Sequence, residues 1–142
     1  MKYNPKYNMI DVVKASSAEM SGTSRVGYIY TRYDLLEYVF GKPSFKNDIP
    51  SWDEKVCCEW DLKIELEDRY IPVSIYCWKT PEIPMDIYQW HIGSKEEGVE
   101  KYISEYIFQN LFDEEGNLKN SKKPVRIKSW DLDYEKRMDG VL

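Results

Sequence analysis

The sequence predicts an α+β domain: one antiparallel sheet of about four strands with two main helices on one face. Three observations carry this. Val56, Cys58, Trp60, Leu62, Ile64 and Leu66 alternate with Cys57, Glu59, Asp61, Lys63 and Glu65, the period of a half-buried strand. Ile71, Val73, Ile75 and Cys77 repeat that period after a short connection, so the two runs form a hairpin. Elsewhere apolar residues recur three and four positions apart, as on a helix packed along one side.

The elements follow in order. Residues 1–21 read as a flexible arm holding a short helix at most, because Pro5 and the stretch A-S-S-A-E-M-S-G break any pattern. Arg25–Thr31 has strand character. Thr31 is then placed to cap a helix with Asp34 three residues on, a weaker form of the capping box. Leu35, Leu36, Val39 and Phe40 form that helix's apolar side, and Gly41 with Pro43 ends it. Residues 44–54 are a loop.

In the hairpin the register follows from matching apolar faces, since a slip of one residue would bury Glu59 and Asp61. A four-residue connection, Glu67 to Tyr70, sets Leu66 opposite Ile71 and Trp60 opposite Cys77. On the second face it sets Glu59 across from Trp78 and Asp61 across from Tyr76. That face is polar on one strand and aromatic on the other.

The loop T-P-E-I-P-M-D carries two prolines and cannot be a central strand. Tyr88–Ile92 reads as a short strand. Ser94 is placed to cap the second helix with Glu97 in the capping-box position, and Val99, Tyr102, Ile103, Tyr106, Ile107 and Leu111 make its stripe. Gly98 inside that helix costs about 1 kcal/mol relative to Ala. Val125–Trp130 is expected to add a strand. The domain is placed at residues 22–132, with a loose tail over 133–142.

Composition narrows the function. A chain of 142 residues fits one domain able to bury a core without disulfides or metal. Aromatics are 15%, with 12 Tyr and 5 Trp, which argues against disorder over most of the chain. A net charge of −5, with both signs interspersed, speaks against extended nucleic acid as a partner. No stretch approaches membrane-spanning length, and no membrane partner is expected. Cys57, Cys58 and Cys77 lack C-x-x-C spacing and His91 is the only histidine, so reduced thiols and no metal are expected.

Five aromatic–polar clusters stand out: G-T-S-R-V-G-Y at 22–28, F-G-K-P at 40–43, K-V-C-C-E-W at 55–60, I-Y-C-W-K at 75–79 and W-H-I-G at 90–93. Together they resemble a family of small, mostly bacteriophage-encoded proteins with the pattern GTSxxGY, FGxP, KxxxEW, IYxWK and WHIGG. The match covers roughly residues 22–112. Ser94 stands where the pattern has its second glycine, and the turn 67–70 lacks Asp-Gly. The resemblance implies a viral accessory protein acting in a host cytoplasm. It supplies no reaction.

Each candidate site residue has an ordinary reading beside its functional one. His91 titrates near neutrality and could serve acid–base work, but a hydrogen-bonded strand histidine is the favoured reading. Glu59 could be a base, yet it has no positioned partner, and a salt link to a lysine is the preferred role. Cys58 and Cys77 lie on the apolar side, where cysteine behaves as a small hydrophobe. Lys55 and Lys79 meet at one end of the hairpin and could clamp phosphates, while Tyr76, Trp78 and Trp90 could stack a base. Rings in the core and lysines in solvent is the equal alternative. Thr23 and Ser24 offer hydroxyls and backbone N–H groups ahead of a strand, an anion nest, with Tyr28 close behind. The helix start at Gly93–Ser94 is discounted, because Glu96 and Glu97 would repel phosphate.

The expected function is therefore binding without catalysis. The ligand class is a small anionic nucleotide-like molecule, such as a host immune signal held out of circulation, with no catalytic residues and no cofactor. The expected ligand set is Thr23, Ser24, Tyr28, Lys55, Glu59, Tyr76, Trp78, Lys79, Trp90 and His91. The alternative is an inhibitor or assembly factor that binds a host protein through its aromatic surface. A nucleotide hydrolase using His91 and Glu59 ranks third, for want of a second acid or base. Pairing of two copies is one way to finish a pocket.

Overall fold

A computed structural model describes residues 9–47 and 55–112. Its class is the expected α+β, and among the described residues there are two α-helices and an antiparallel sheet of six strands rather than about four. They are β1 (Met9–Lys14), β2 (Ser24–Thr31), β3 (Phe45–Lys46), β4 (Cys58–Leu66), β5 (Tyr70–Tyr76) and β6 (Tyr88–Ser94). The helices are α1 (Tyr33–Phe40) and α2 (Glu100–Leu111). The expected strand at 125–130 and the tail at 133–142 lie outside the described residues.

One face of the sheet is the core. Trp60, Leu62 and Ile64 of β4, Ile71, Val73 and Ile75 of β5, Trp90 and Ile92 of β6 and Ile29 of β2 are all buried. Leu35, Leu36 and Phe40 of α1 and Ile103, Ile107 and Leu111 of α2 close over them. The Trp60 and Trp90 rings meet edge to face at 5.7 Å. Each buried indole needs an acceptor for its N–H. Trp60 Nε1 donates to the Gly41 carbonyl at 2.8 Å and Trp90 Nε1 to the Thr31 carbonyl at 3.2 Å. The two carbonyls flank α1, so these bonds fix the helix to the sheet.

Three local expectations are corrected. The first concerns the hairpin. Glu59 pairs with Tyr76 and Asp61 with Ser74, while Glu65 pairs with Tyr70 and the Leu66 N–H donates to the Arg69 carbonyl at 2.9 Å. The connection is thus the two residues Glu67 and Asp68, and every partner lies two positions from where it was expected. A shift of two keeps each side chain on its face, so hydrophobic matching cannot detect it.

The second concerns the helix starts. Arg32, not Thr31, occupies the N-cap of α1, without a side-chain cap bond. Its guanidinium pairs with Asp34 at 2.9 Å instead. Ser94 ends β6 rather than opening α2, and its hydroxyl donates to the Pro72 carbonyl at 2.7 Å. Gly98 lies before α2 with φ +82°, a left-handed position that glycine takes without strain, so it does not weaken the helix.

The third concerns residues 1–21. Met9–Lys14 is not part of a loose arm but β1, paired antiparallel along Leu62–Leu66. The strand order is β1-β4-β5-β6-β2, with β3 pairing the other half of β4. Consecutive strands β1 and β2 therefore stand at opposite edges. Lys14 pairs Leu62, Leu62 pairs Val73, Val73 pairs Ser94, and Ser94 pairs Ser24. The end of β1 and the start of β2 lie in one row across the sheet. Four strand spacings make about 19 Å, within the reach of about 30 Å for the chain from 15 to 23. This crossover strap contains a 3-10 turn at Ser17–Met20 that packs on β5, and Glu19 pairs with Lys63 at 3.3 Å.

Candidate functional site

The face opposite the helices is polar where β2, β6, β5 and β4 run side by side. Tyr28 pairs His91, His91 pairs Tyr76, and Tyr76 pairs Glu59, which forms one row across four strands. Cross-strand neighbours are close enough for rings to touch. Tyr28 meets His91 edge to face at 5.1 Å, and Tyr76 stacks on His91 at 5.3 Å. Trp78, just past β5, joins at 6.2 Å from Tyr76 and 6.4 Å from His91. All three row rings are half-buried.

A second row lies between these rings and the strap. Arg25 pairs Gly93, Gly93 pairs Ser74, and Ser74 pairs Asp61. Arg25 and Tyr28 are three residues apart and would face opposite ways on a regular strand. The register shifts between Arg25 and Gly27, so Val26 is an inserted residue that brings both onto this face. The guanidinium lies 4.8 Å from the Tyr28 ring centre and donates to the Tyr28 hydroxyl.

Gly93 and Ser74 are buried, and the Ser74 hydroxyl and the Tyr76 ring fill the space over Gly93. A β-carbon at Gly93 would stand 2.6 Å from Ser74 Oγ, 3.4 Å from the Tyr76 ring and 3.7 Å from the Ser24 carbonyl oxygen. Glycine is needed here for room rather than for conformation.

The far end carries carboxyls. Glu59 and Asp61, two apart on β4, project from the same face. Burial, the hydrogen-bonding reach of Asp61 and its negative charge raise the Glu59 pKa to about 8. Glu59 thus tends to keep its proton near pH 7, with Asp61 as its neighbour for that proton. Asp61 is 4% exposed and its Oδ1 has no hydrogen-bond partner. Buried oxygens are rarely left so. His91 Nδ1 is likewise buried and unpartnered. Desolvation, and then the Arg25 charge, lower the His91 pKa, so its imidazole is neutral. Burial and the neighbouring Glu59 raise that of Tyr76.

The expected ligand residues divide accordingly. Tyr28, Glu59, Tyr76 and His91 come together in the first row, with Trp78 beside them. Lys55 and Lys79 do converge: the Lys79 N–H donates to the Lys55 carbonyl at 2.6 Å, and the two ammonium groups lie 5.8 and 5.9 Å from the Trp78 ring. Trp90 does not join them, being fully buried on the helical face. The Thr23 hydroxyl donates to the Met20 carbonyl at 2.7 Å and so closes the strap turn, and Ser24 is exposed where β2 begins. No family model matches the chain, and neither a curated protein nor a solved structure does.

The sequence reading missed Arg25, Asp61, Ser74 and Gly93 as site residues. Their period placed Asp61 and Ser74 on the polar face, but the expected register separated them, and nothing in R-V-G marks a bulge. The cysteines stand apart from this face. Cys57 Sγ lies 2.7 Å from Cys77 Sγ and 3.2 Å from Thr80 Oγ1, and burial raises the Cys57 pKa to about 11 and that of Cys58 further. Such thiols are poor nucleophiles. No cluster of metal-ligating side chains occurs among the described residues. A cavity of about 550 Å³ is lined by Glu82–Tyr88, and the hydroxyl of its Tyr88 accepts from the Trp78 backbone N–H at 3.1 Å.

Proposed function

We propose that the polar face binds a small anionic nucleotide-like molecule and that the protein acts by holding it rather than by turning it over. The contiguous row Tyr28–His91–Tyr76, with Trp78 beside it, is the observation that carries this reading. Ring-faced platforms stack bases irrespective of their sequence. Arg25 on one side and Lys55 with Lys79 on another supply positive charge for phosphate. The resemblance to phage proteins makes sequestration of a host nucleotide signal the role to test first.

Catalysis is the weaker reading on geometry. Glu59 and His91 sit on either side of Tyr76, two strand spacings or roughly 10 Å apart, with an aromatic ring between them. No contact between the two side chains supports a shared catalytic step.

The experiment is a thermal-shift and calorimetric screen with mono-, di- and cyclic nucleotides, followed by chromatography of the recovered ligand. Stabilisation with intact ligand recovered is the expected result. No shift with any nucleotide would end the reading, and a product peak lost in His91→Ala would replace it with hydrolysis.

A second reading rests on exposed apolar side chains. Phe45 is 46% and Trp78 39% exposed, and Phe45 pairs with Glu59 at the end of the ring row. Rings placed so are also anchors for a protein partner. Host-lysate pull-down yielding a stoichiometric protein would favour it.

A further inference from the structure

Alternation along β4 sends Cys58 to the apolar side and would send its neighbour Cys57 to the polar one. Both are buried, Cys57 at 1% exposure and Cys58 at 0%. The strand begins only at Cys58, and the chain bends at Cys57, so that residue is free of the alternation. Its thiol turns to Cys77, the first residue after β5. The two sulfur atoms lie 2.7 Å apart, although 20 positions separate the residues in the chain.

At that distance the sulfurs are inside ordinary van der Waals contact, which is about 3.5–4.0 Å even for the smaller carbon atoms. A disulfide spans about 2.0 Å, so small rotations about the two Cα–Cβ bonds close the gap. The backbone already holds the two segments together. The Cys77 N–H donates to the Cys58 carbonyl at 3.3 Å, and the Lys79 N–H donates to the Lys55 carbonyl at 2.6 Å. Cys58 is placed differently. It pairs with Lys46 of β3, and Cys77 Sγ reaches only its carbonyl oxygen, at 3.8 Å.

We propose that Cys57 and Cys77 are a disulfide-forming pair, closed by exchange with a small-molecule disulfide such as oxidised glutathione. One thiol, as its thiolate, attacks the oxidant, forms a mixed disulfide and expels one glutathione thiolate. The second attacks the protein sulfur of that mixed disulfide and expels the other glutathione. Two protein thiols are oxidised, one disulfide oxidant is reduced to two thiols, and the protein's two protons pass to the expelled thiolates. Burial, which makes these thiols poor nucleophiles in the closed chain, sets the order of events. The first attack waits for the open end of the hairpin to part, as the ends of elements do at low free-energy cost. The second is intramolecular, because its partner sulfur is already beside it.

The bond clips β4 to β5 at the end where the Lys55 and Lys79 ammonium groups flank Trp78. Such a link removes freedom chiefly from the unfolded chain, so the oxidised protein should be the more stable form. This holds whether or not that end binds a nucleotide. The test takes the full reduced chain through glutathione buffers of rising oxidised fraction, over hours. Remaining thiols are then labelled in denaturant and the mass is measured. Oxidation should remove two hydrogen atoms and two of the three labelling sites. Fragmentation of the linked peptides should join Cys77 to Cys57 and leave Cys58 free. The oxidised chain should melt about 5 °C or more above the reduced one.

Cys58→Ala should keep the bond, whereas Cys57→Ala and Cys77→Ala should each lose it. The peptide assignment in the natural chain stands even if one of these variants fails to fold. Three thiols still labelled after hours in the most oxidising buffer would overturn the pairing. So would a bond to Cys58, a bond between two chains, or glutathione left attached in place of a bond. An oxidised chain melting below the reduced one would overturn it too, because the link would then be made against the fold.

Discussion

The two faces of one sheet make opposite uses of the same residue types. On the helical face Trp60 and Trp90 are sealed, and each indole N–H is satisfied by a carbonyl at an end of α1. On the polar face Tyr28, Tyr76 and His91 touch one another in a row, and two polar atoms beside them, His91 Nδ1 and Asp61 Oδ1, lack partners. Satisfied rings hold the fold together. A half-buried row of rings adds less to stability than a sealed pair of indoles, whereas unpartnered buried polar atoms occur on both sides of the sheet, Thr31 Oγ1 and Glu100 Oε2 lying on the helical side. The polar face is where the proposed function is to be tested.

The largest effect separating the faces should come from truncating a buried indole. Trp60→Ala and Trp90→Ala each remove a core ring and strand a carbonyl, and should cost about 3–5 kcal/mol in urea unfolding. His91→Ala should cost about 1 kcal/mol or less. Equal losses would mean that the polar row is core after all.

Next is the pH dependence carried by Glu59. Its pKa is raised from the ordinary 4.5 to about 8, so between those values the folded protein holds a proton that the unfolded chain has released. Stability attributable to this group is therefore full below pH 4.5 and falls as pH rises through 8. Glu59→Gln should flatten that fall and stabilise the protein at pH 8.5, by roughly 1 kcal/mol once solvent screening of a half-exposed group is allowed for. An unchanged pH profile would refute the neutral carboxyl.

His91 offers a finer readout with the opposite sign. Its pKa is depressed below 6.5, so its share of stability is present above that pH and declines as pH falls through the folded value. NMR titration should find the lowered value, and Arg25→Ala should bring it back part of the way. No change would place Arg25 outside the field of the row. Cysteine labelling compares the regions chemically: Cys57 and Cys58 should resist a thiol reagent at neutral pH in the folded protein and react fully in denaturant.

The smallest effect belongs to the surface. Arg69 and Glu96 form an ion pair between exposed side chains, and Arg69→Ala should shift stability by about 0.5 kcal/mol or less, less again in high salt.

Much of the helical face is legible in the chain. Alternation from Val56 to Leu66 assigns Trp60, Leu62 and Ile64 inward and Glu59, Asp61 and Lys63 outward, and the structure keeps that division. The stripe of Ile103, Ile107 and Leu111 likewise finds the core. The polar face is less legible. Its members were placed on the right side but in the wrong rows, because Glu59 meets Tyr76 and not Trp78. Trp90 and Trp78 look alike in sequence, each beside a polar residue in a strand-like run. Only the register of β6 against Ile29 of β2 sends Trp90 inward, while Trp78 stands past the end of β5 and is left outside.

Sequence alone determined which side of the sheet the regular runs of β4 and β5 present, because alternation of apolar and polar groups is a local property of an extended chain; it did not determine the side for Trp90 or Arg25. Tertiary structure decided which residues stand side by side. A slip of two positions preserves every face, an inserted Val26 carries no compositional mark, and β1 becomes a strand only because β4 has an unpaired edge to receive it. The meeting of Arg25, Gly93, Ser74 and Asp61 in one row is of this second kind, fixed by hydrogen-bonded register between segments distant in the chain.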